Sequence, residues 1–243
     1  MLTSTYGARP PRQTTTDVMR EHPAVSLVCC DLASLVIDGS IVERAFAEAI
    51  ATQGIVAGTQ DYVRSMVRLD RARGRPPADV LREIFDGDEP RAQVASLAFD
   101  RSFRAAAERF GMTVPPDVAA ALTKAAASGA KICLLPGLSR AAGGDLLGEL
   151  CRRGIADLAL CADDAPRGFP WPDLVLTAML RLGTPDVREV TMVSATENGL
   201  LSGWRAGARI VAAVASGGRG PQVGATHVLD NLAALPDLII SGG

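Results

Sequence analysis

The sequence predicts an α/β protein with a parallel sheet and one inserted block of helices. Short apolar runs of strand length recur along the chain, and stretches with apolar residues at helical spacing separate most of them. Asp31 follows the first apolar run directly, as expected at the carboxyl end of a buried strand. Residues 39–115, in contrast, show helical spacing and several glycine breaks, so they form a separate helical block.

Composition and charge exclude several classes of protein. The chain has 243 residues, is 48% hydrophobic and carries a net charge of -2. It is long enough to bury a substantial core, and its charge balance argues against a nucleic-acid or membrane-surface partner. No apolar run has the length of a membrane span, and we expect polar residues 1–22 to form a mobile tail.

The cysteine pattern predicts a reducing compartment, the cytoplasm. None of the five cysteines belongs to a C-x-x-C pair. Four of them lie in or beside predicted strands, where cysteine behaves as a small hydrophobic residue: Cys29, Cys30, Cys133 and Cys161. We therefore expect neither a disulfide framework nor a zinc site.

The first predicted strand, Leu27–Cys30, lies in the stretch SLVCCDLASLVID of residues 26–38. The run is too short for a helix and ends at a charge. Asp31 can either face a ligand at the edge of the sheet or cap the following turn with its side-chain oxygens. The local pattern favours neither alternative.

The eight residues from Asp31 resemble the first motif of the haloacid dehalogenase superfamily, in the form D-x-A-G-T-T-V-D of its phosphonatase-like branch. Asp31, Ala33 and Asp38 align without a gap, whereas Ser-Leu-Val at residues 34–36 replaces the glycine and both threonines. The resemblance implies a Rossmann-like core at residues 23–38 and 116–243, a helical cap at residues 39–115, and Asp31 as the nucleophile.

The cap is predicted from apolar spacing to contain four helices, over about Ile41–Thr52, Thr59–Arg73, Pro77–Phe85 and Glu89–Phe110. Five of its arginines form either a solvated helix face or a site for an anion: Arg64, Arg68, Arg71, Arg73 and Arg75. True phosphonatases place a Schiff-base lysine in the cap. No lysine precedes Lys124, so imine chemistry is not expected.

The second motif follows a helix over about Asp117–Ser128 and a strand over Lys131–Leu135. The family reads T-T-G-F-D-R where this chain reads L-P-G-L-S-R. Gly137 and Arg140 are kept. Pro136 replaces the threonine that, in the family, donates a hydrogen bond to the transferring phosphoryl group, and proline has neither a hydroxyl nor an N–H to donate.

The third motif is the most specific match and follows a predicted strand over Ala156–Cys161. Residues 162–179 read ADDAPRGFPWPDLVLTAM, against the family's A-D-D-V-x-x-G-R-P-x-P-D-L-I-L-x-A-M. The resemblance implies a charge-neutralising arginine in this motif, but Phe169 stands in its place. Arg167, two residues earlier, is a candidate substitute.

The fourth motif follows a strand over Val187–Val193. Residues 194–199 read SATENG, where the family reads G-D-T-P-N-D. Thr196 aligns, whereas the two acids that hold magnesium in the family are Ala195 and Gly199. Glu197 lies at the proline position. Two more strands are predicted, over Arg209–Val214 and at residues 227–230, where we expect His227 to be structural.

These losses predict weak or absent magnesium binding, and we assign no metal ligand and no cofactor. Mg²⁺ prefers a near-octahedral set of oxygens that includes carboxylates, and the matching positions supply Asp31 alone, with Glu197 as a doubtful second. Without the cation, Asp31 approaches a phosphate dianion against a repulsion of about 4 kcal/mol. That repulsion alone slows the reaction about a thousandfold.

Two functions remain open. The first is a non-catalytic protein that binds a small molecule or a partner between cap and core. Apolar residues replace polar ones in the motifs, which makes the pocket suitable for an apolar ligand. Its ligand-binding candidates are Ala33, Pro136, Gly137, Phe169 and Thr196. The second is a metal-independent enzyme that uses Asp31 as nucleophile or general acid/base, with candidate helpers Ser34, Arg140, Arg167 and Glu197. A weak residual phosphatase ranks below both, and a homodimer is compatible with either.

Overall fold

The computed structural model describes residues 24–32, 40–110, 114–215 and 223–241. The predicted mobile tail, residues 1–22, lies outside these ranges. Ala33, Ser34 and Asp38 of the first motif also lie outside them.

The sheet has six parallel strands, which confirms the predicted α/β class. They are β1 (Leu27–Asp31), β2 (Lys131–Leu135), β3 (Leu158–Ala159), β4 (Val190–Ser194), β5 (Ile210–Val214) and β6 (His227–Leu229). Their order is β3-β2-β1-β4-β5-β6. The chain therefore moves outward from β1 to β3, then returns to build the other half from β4. Ligands of open α/β sheets bind at such a reversal, outside the carboxyl ends of the strands.

Four of the described helices between β1 and β2 form the cap: α1 (Ser40–Ala51), α2 (Gln60–Arg71), α3 (Pro77–Ile84) and α4 (Glu89–Phe110). They share a buried cluster whose largest members are Phe46, Ile50, Leu81, Phe99 and Phe103. The same cluster includes Leu32, Leu138 and Ala142, which follow β1 and β2 in the core. The cap and the core are thus packed together through shared apolar residues.

Five helices complete the core: α5 (Pro116–Ala127), α6 (Arg140–Arg152), α7 (Asp173–Leu182), α8 (Glu197–Ala206) and α9 (Leu235–Ser241). Strands β1, β4 and β5 are buried along their whole length. Within the described part of the chain, no helix combines the length and apolarity that a membrane span requires.

Two predicted strands differ from those observed by more than one residue at an end. The strand predicted over Ala156–Cys161 is only Leu158–Ala159, because this strand lies at the edge of the sheet and pairs with β2 alone. The strand predicted from Val187 begins at Val190. A single 3₁₀ turn, Val187–Glu189, precedes it, and the Asp186 side chain accepts a hydrogen bond from the Arg188 N–H in that turn.

The cysteines lie where the sequence predicts them. Cys29, Cys30, Cys133 and Cys161 are buried and Cys151 is partly buried, and all five are free thiols. Burial raises the pKa of Cys161 to about 11, so this thiol stays protonated at neutral pH. These cysteines fill the core.

Candidate functional site

The candidate site lies where β1 and β4 end side by side. Asp31 ends β1 and is only 3% exposed, and Ser194 ends β4. The Ser194 hydroxyl donates a hydrogen bond to Asp31 Oδ2, and Thr196 Oγ1 donates to the same oxygen at 3.2 Å. Asp31 has further contacts beyond these two. The predicted site residues Asp31 and Thr196 are thus in contact, and the Ser194 hydroxyl contacts both of them.

The turn from β4 into α8 fixes both hydroxyls. Thr196 is the N-cap of α8, and its Oγ1 accepts from the Gly199 N–H at 3.2 Å. The Thr196 N–H in turn donates to Ser194 Oγ at 2.9 Å. Because each hydroxyl is held by a backbone group as well as by Asp31, neither can rotate away without losing a second hydrogen bond.

Gly199 leaves no room for a side chain opposite Asp31. A Cβ built on Gly199 would lie 2.9 Å from Asp31 Oδ2 and still closer to Ser194 Oγ. Both approaches are nearer than real Cβ atoms make. The position that carries an acid in the resembling family therefore could not accept one here unless Ser194 moved.

The residues that the structure describes at this site do not fit a magnesium ion. Asp31 is the carboxylate at the site, Ala195 and Gly199 offer no side-chain oxygen, and Glu197 is solvent-exposed at the first residue of α8. Across the ranges that the structure describes, no three His, Cys, Asp or Glu side chains are grouped for a metal. This donor set falls short of the oxygen cage that Mg²⁺ requires.

The two predicted arginine helpers bind other carboxylates. Arg140 Nη2 contacts both oxygens of Asp164, at 2.6 and 2.7 Å. Arg167 contacts both oxygens of Asp173, at 3.0 and 2.9 Å, and its guanidinium lies 4.5 Å from the Trp171 ring centre. Each guanidinium is thus already paired with a carboxylate.

The remaining predicted ligand-binding residues differ in their surroundings, although Pro136 and Gly137 directly follow Leu135, the register partner of Asp31. Phe169 is 1% exposed and packs in the core cluster that contains Leu27, Cys29 and Leu135. It therefore fills the protein interior. Pro136 is partly buried, and Gly137 is buried with a left-handed φ of +68°.

A cap segment lies directly over the site. It comprises residues 73–76, Arg-Gly-Arg-Pro, between α2 and α3. Asn198 Nδ2 of α8 donates to the Arg73 carbonyl at 2.8 Å. A Cβ built on Gly137 would lie 2.7 Å from the Gly74 carbonyl oxygen, so the two backbones are in close contact.

A small cavity of about 70 Å³ lies beside this segment, between cap and core. It is lined by Pro76, Pro77, Ala78, Ser96, Phe99 and Asp100 of the cap and by Ser139, Ala162 and Asp163 of the core. Ser139 Oγ donates to Asp100 Oδ1 at 2.7 Å. Burial raises the pKa of Asp100, and the nearby charge of Asp163 adds to the increase.

Sequence reasoning missed three residues of this region: Ser194, Gly74 and Asp100. Only Ser194 carried a signal, since it stands where the fourth motif has glycine, next to the lost acid at Ala195. Gly74 lies in a break between predicted helices, and Asp100 lies inside a regular helical pattern. Their roles depend on how the cap packs on the core.

Sequence comparison finds similarity to one group of enzymes, although no family model matches the chain. A phosphonoacetaldehyde hydrolase of Pseudomonas putida is 27% identical over 179 residues, which cover 72% of this chain and 62% of that protein. The same enzyme of Pseudomonas entomophila is 41% identical over 63 residues, which cover 26% of this chain and 23% of that protein. The chain thus spans less than two thirds of the length of these relatives.

Comparison with solved structures finds the same fold over nearly the whole chain. A phosphonoacetaldehyde hydrolase-like protein from Oleispira antarctica has a TM-score of 0.72 at 19% identity, covering 91% of this chain and 93% of that one. CbbY from Rhodobacter sphaeroides, solved in complex with phosphate, has a TM-score of 0.69 at 20% identity, covering 88% and 96%. The chain therefore has the same fold as these two proteins, and its sequence is similar to that of phosphonoacetaldehyde hydrolases.

Proposed function

We propose that this protein is a non-catalytic haloacid dehalogenase-like protein, without magnesium-dependent phosphohydrolase activity, that binds a small molecule between cap and core. The observation that supports this most directly is the environment of Asp31. Hydroxyls of Ser194 and Thr196 bind its Oδ2, and Gly199 excludes a second carboxylate.

The physical reason is that the predicted sources of positive charge are engaged by other carboxylates. An attack on a phosphate dianion requires cations or preorganised donors that neutralise the developing charge. Arg140 and Arg167 are paired with Asp164 and Asp173, and the donor set does not fit Mg²⁺. A hydroxyl donor stabilises a carboxylate, but it carries no net charge to offset the dianion.

The cavity between cap and core is the best candidate for the ligand. Its walls are mainly apolar side chains, and the Asp100 carboxylate faces it as a hydrogen-bond acceptor. The cavity volume of about 70 Å³ suits a small molecule. The ligand is then a small apolar molecule with one donor group, or a larger one that displaces the cap. Free cysteines fit a cytoplasmic location.

An activity assay tests the loss of catalysis. We expect the wild-type protein and Asp31→Asn to hydrolyse p-nitrophenyl phosphate at the same background rate with Mg²⁺ present. Magnesium-dependent turnover that Asp31→Asn abolishes would refute the proposal. The alternative, a metal-independent enzyme, would instead show turnover of a non-phosphate substrate that resists EDTA and is lost in Asp31→Asn.

Binding is tested by filling the cavity. We expect small apolar amines and alcohols that raise the melting temperature of the wild type to have no effect on Ala162→Leu, because the larger side chain occupies the cavity. The control is Ala120→Leu on the exposed face of α5, which should respond as the wild type does. Equal responses of the two variants would place the ligand elsewhere.

A further inference from the structure

We infer that the ligand is a primary alkylammonium, whose cationic head lies in the cavity between cap and core and whose chain lies in a groove of the cap between α3 and α4. The inference rests on the proposed function, because it takes that cavity as the binding site and adds the chemistry of the ligand. Two observations support it: the groove adjoins the cavity, and two carboxylates face the cavity.

The groove is an open depression on the surface of the cap, with a volume of about 300 Å³. Ala92 and Leu97 of α4 form part of its apolar wall, and Leu97 is 61% exposed. Covering these side chains with hydrocarbon is favourable, because it removes apolar surface from water. An alkyl chain therefore suits the groove.

The charged side chains at the groove are paired with one another. Arg82 Nε contacts Glu89 at 2.9 Å, and Arg82 Nη1 contacts Asp79 at 3.0 Å. The charged groups hold each other, while the methylene stems of Arg82 and Glu89 can pack against a chain. This pairing favours a ligand that is uncharged at this end.

The groove and the cavity share two lining residues, Ala78 of α3 and Ser96 of α4. Both side chains are small and partly exposed. A flexible chain can therefore cross this shared wall with little displacement of the protein. A ligand longer than the cavity then extends into the groove, and the cap stays in place.

Two carboxylates lie at the cavity end of this path. Asp100 of the cap and Asp163 of the core both line the cavity. Asp100 accepts a hydrogen bond from Ser139 at 2.7 Å, and Asp163 accepts from the Arg140 N–H at 3.0 Å. A primary ammonium brings three donors and a positive charge, so it can bind these carboxylates and reduce their mutual repulsion. The cationic head is therefore assigned to the cavity.

A series of n-alkylammonium ions tests the length of the site. Isothermal titration calorimetry gives the dissociation constants of n-propyl-, n-pentyl- and n-heptylammonium for the wild-type protein. Affinity should rise about fourfold per methylene, as expected for a methylene removed from water. If every member binds with the same affinity, the chain does not occupy the groove and the inference is overturned, while the proposed function stands.

Variants test the two ends of the site separately. Gln93→Trp fills the groove and should remove most of the gain with chain length, while n-propylammonium binds as it does to the wild type. The matched control is Val94→Trp, since Val94 is the next residue of α4, is also exposed and lies outside the groove lining. Ala162→Leu fills the cavity and should weaken the binding of every member. A full gain with length in Gln93→Trp would overturn the inference.

A neutral analogue tests the charge of the head. n-Pentanol should bind about tenfold more weakly than n-pentylammonium, because hydrogen bonds between charged groups are stronger than those of a hydroxyl. Asp163→Asn should narrow this difference, since it removes one negative charge but keeps an oxygen that can accept from the Arg140 N–H. Equal affinities of the wild type for the alcohol and the ammonium would overturn the inference.

The remaining outcomes separate this inference from the proposed function. If alcohols bind in the cavity and no alkylammonium does, the inference is refuted and the proposed function stands. If neither class binds to the wild type, both are refuted. If the wild type sediments as a dimer that Gln93→Trp dissociates, a second copy of the chain covers the groove, and the inference is refuted as well.

Discussion

The loop after β3 and the adjoining ends of β1 and β4 both carry a poorly exposed aspartate, but they neutralise it differently. Asp164, with a side chain 9% exposed, contacts Arg140 and Arg181 and accepts from the Cys161 N–H at 2.8 Å. The donors to Asp31 include the hydroxyls of Ser194 and Thr196. The contacts of Asp164 thus include two guanidiniums, and those of Asp31 include two hydroxyls.

The difference shows how this chain uses its arginines. Arg140 and Arg167 are the two candidates for the charge lost at the site, and both fasten a loop through a carboxylate. Paired charges of this kind stabilise a structure, but they are no longer available to a substrate. The fold of the phosphonoacetaldehyde hydrolase-like protein is kept, while both arginines that the sequence offered as helpers are engaged by other carboxylates.

The largest expected effect comes from placing an acid opposite Asp31. Gly199→Asp should lower the free energy of unfolding by about 3 kcal/mol or more, because its Cβ collides with Ser194 and its carboxylate repels Asp31. Urea unfolding measures this. The control is Gly148→Asp in α6, where the nearest atom to an added Cβ is an Arg152 nitrogen at 3.4 Å. Recovery of Gly199→Asp in millimolar MgCl₂ would mean that the site accepts a cation after all.

A smaller effect is expected at Asp164, the carboxylate that is paired with two arginines. Asp164→Ala should lower the free energy of unfolding by about 2 kcal/mol, since it leaves the Cys161 N–H and two guanidiniums without their acceptor. Glu149→Ala, which removes an exposed pair with Arg152, should cost about 0.5 kcal/mol or less. If both variants lose the same free energy of unfolding, the contacts of Asp164 contribute no more than a surface ion pair.

The smallest effect is a pH dependence at the cavity. A raised pKa means that folded Asp100 holds its proton more tightly than unfolded Asp100 does. Stability therefore falls as pH rises from the ordinary value of 3.8 through the raised pKa. In urea unfolding from pH 3.5 to 7, Asp100→Asn should remove this fall. Above the raised pKa, the variant should be slightly more stable than the wild type. Asp186→Asn should behave oppositely, because Arg188 lowers the pKa of Asp186. A wild-type slope kept in Asp100→Asn would contradict the assignment.

The elements of the fold were predictable because their signals are local. Glu89–Phe110 is observed with its predicted bounds, and strands such as Lys131–Leu135 are short apolar runs between turns. The ends of Leu158–Ala159 and Val190–Ser194 could not be predicted, because the length of an edge strand and the position of a 3₁₀ turn depend on contacts with other parts of the fold. Parallel order and the position of Asp31 at a strand end followed from the same local pattern.

The site was predictable only in part because its contacts are long-range. Ser194 meets Asp31 across 163 positions, and that meeting depends on β4 being placed beside β1. Arg140 was a sound candidate by chain position, but sequence alone does not tell which nearby carboxylate a guanidinium binds. Residues 73–76 read only as a break between helices. Their closeness to Gly137 and Gly168 appears once the cap is packed on the core.

The apolar cluster of the cap has a consequence for how the molecule comes apart. Leu32, Leu138 and Ala142 belong to the core by chain position, yet they lie in the same apolar cluster as Phe99. Separating the cap from the core would expose this apolar cluster to water on both the cap side and the core side. Melting should therefore proceed as one cooperative step, and excising residues 40–110 should yield an aggregating remnant instead of a smaller independent domain.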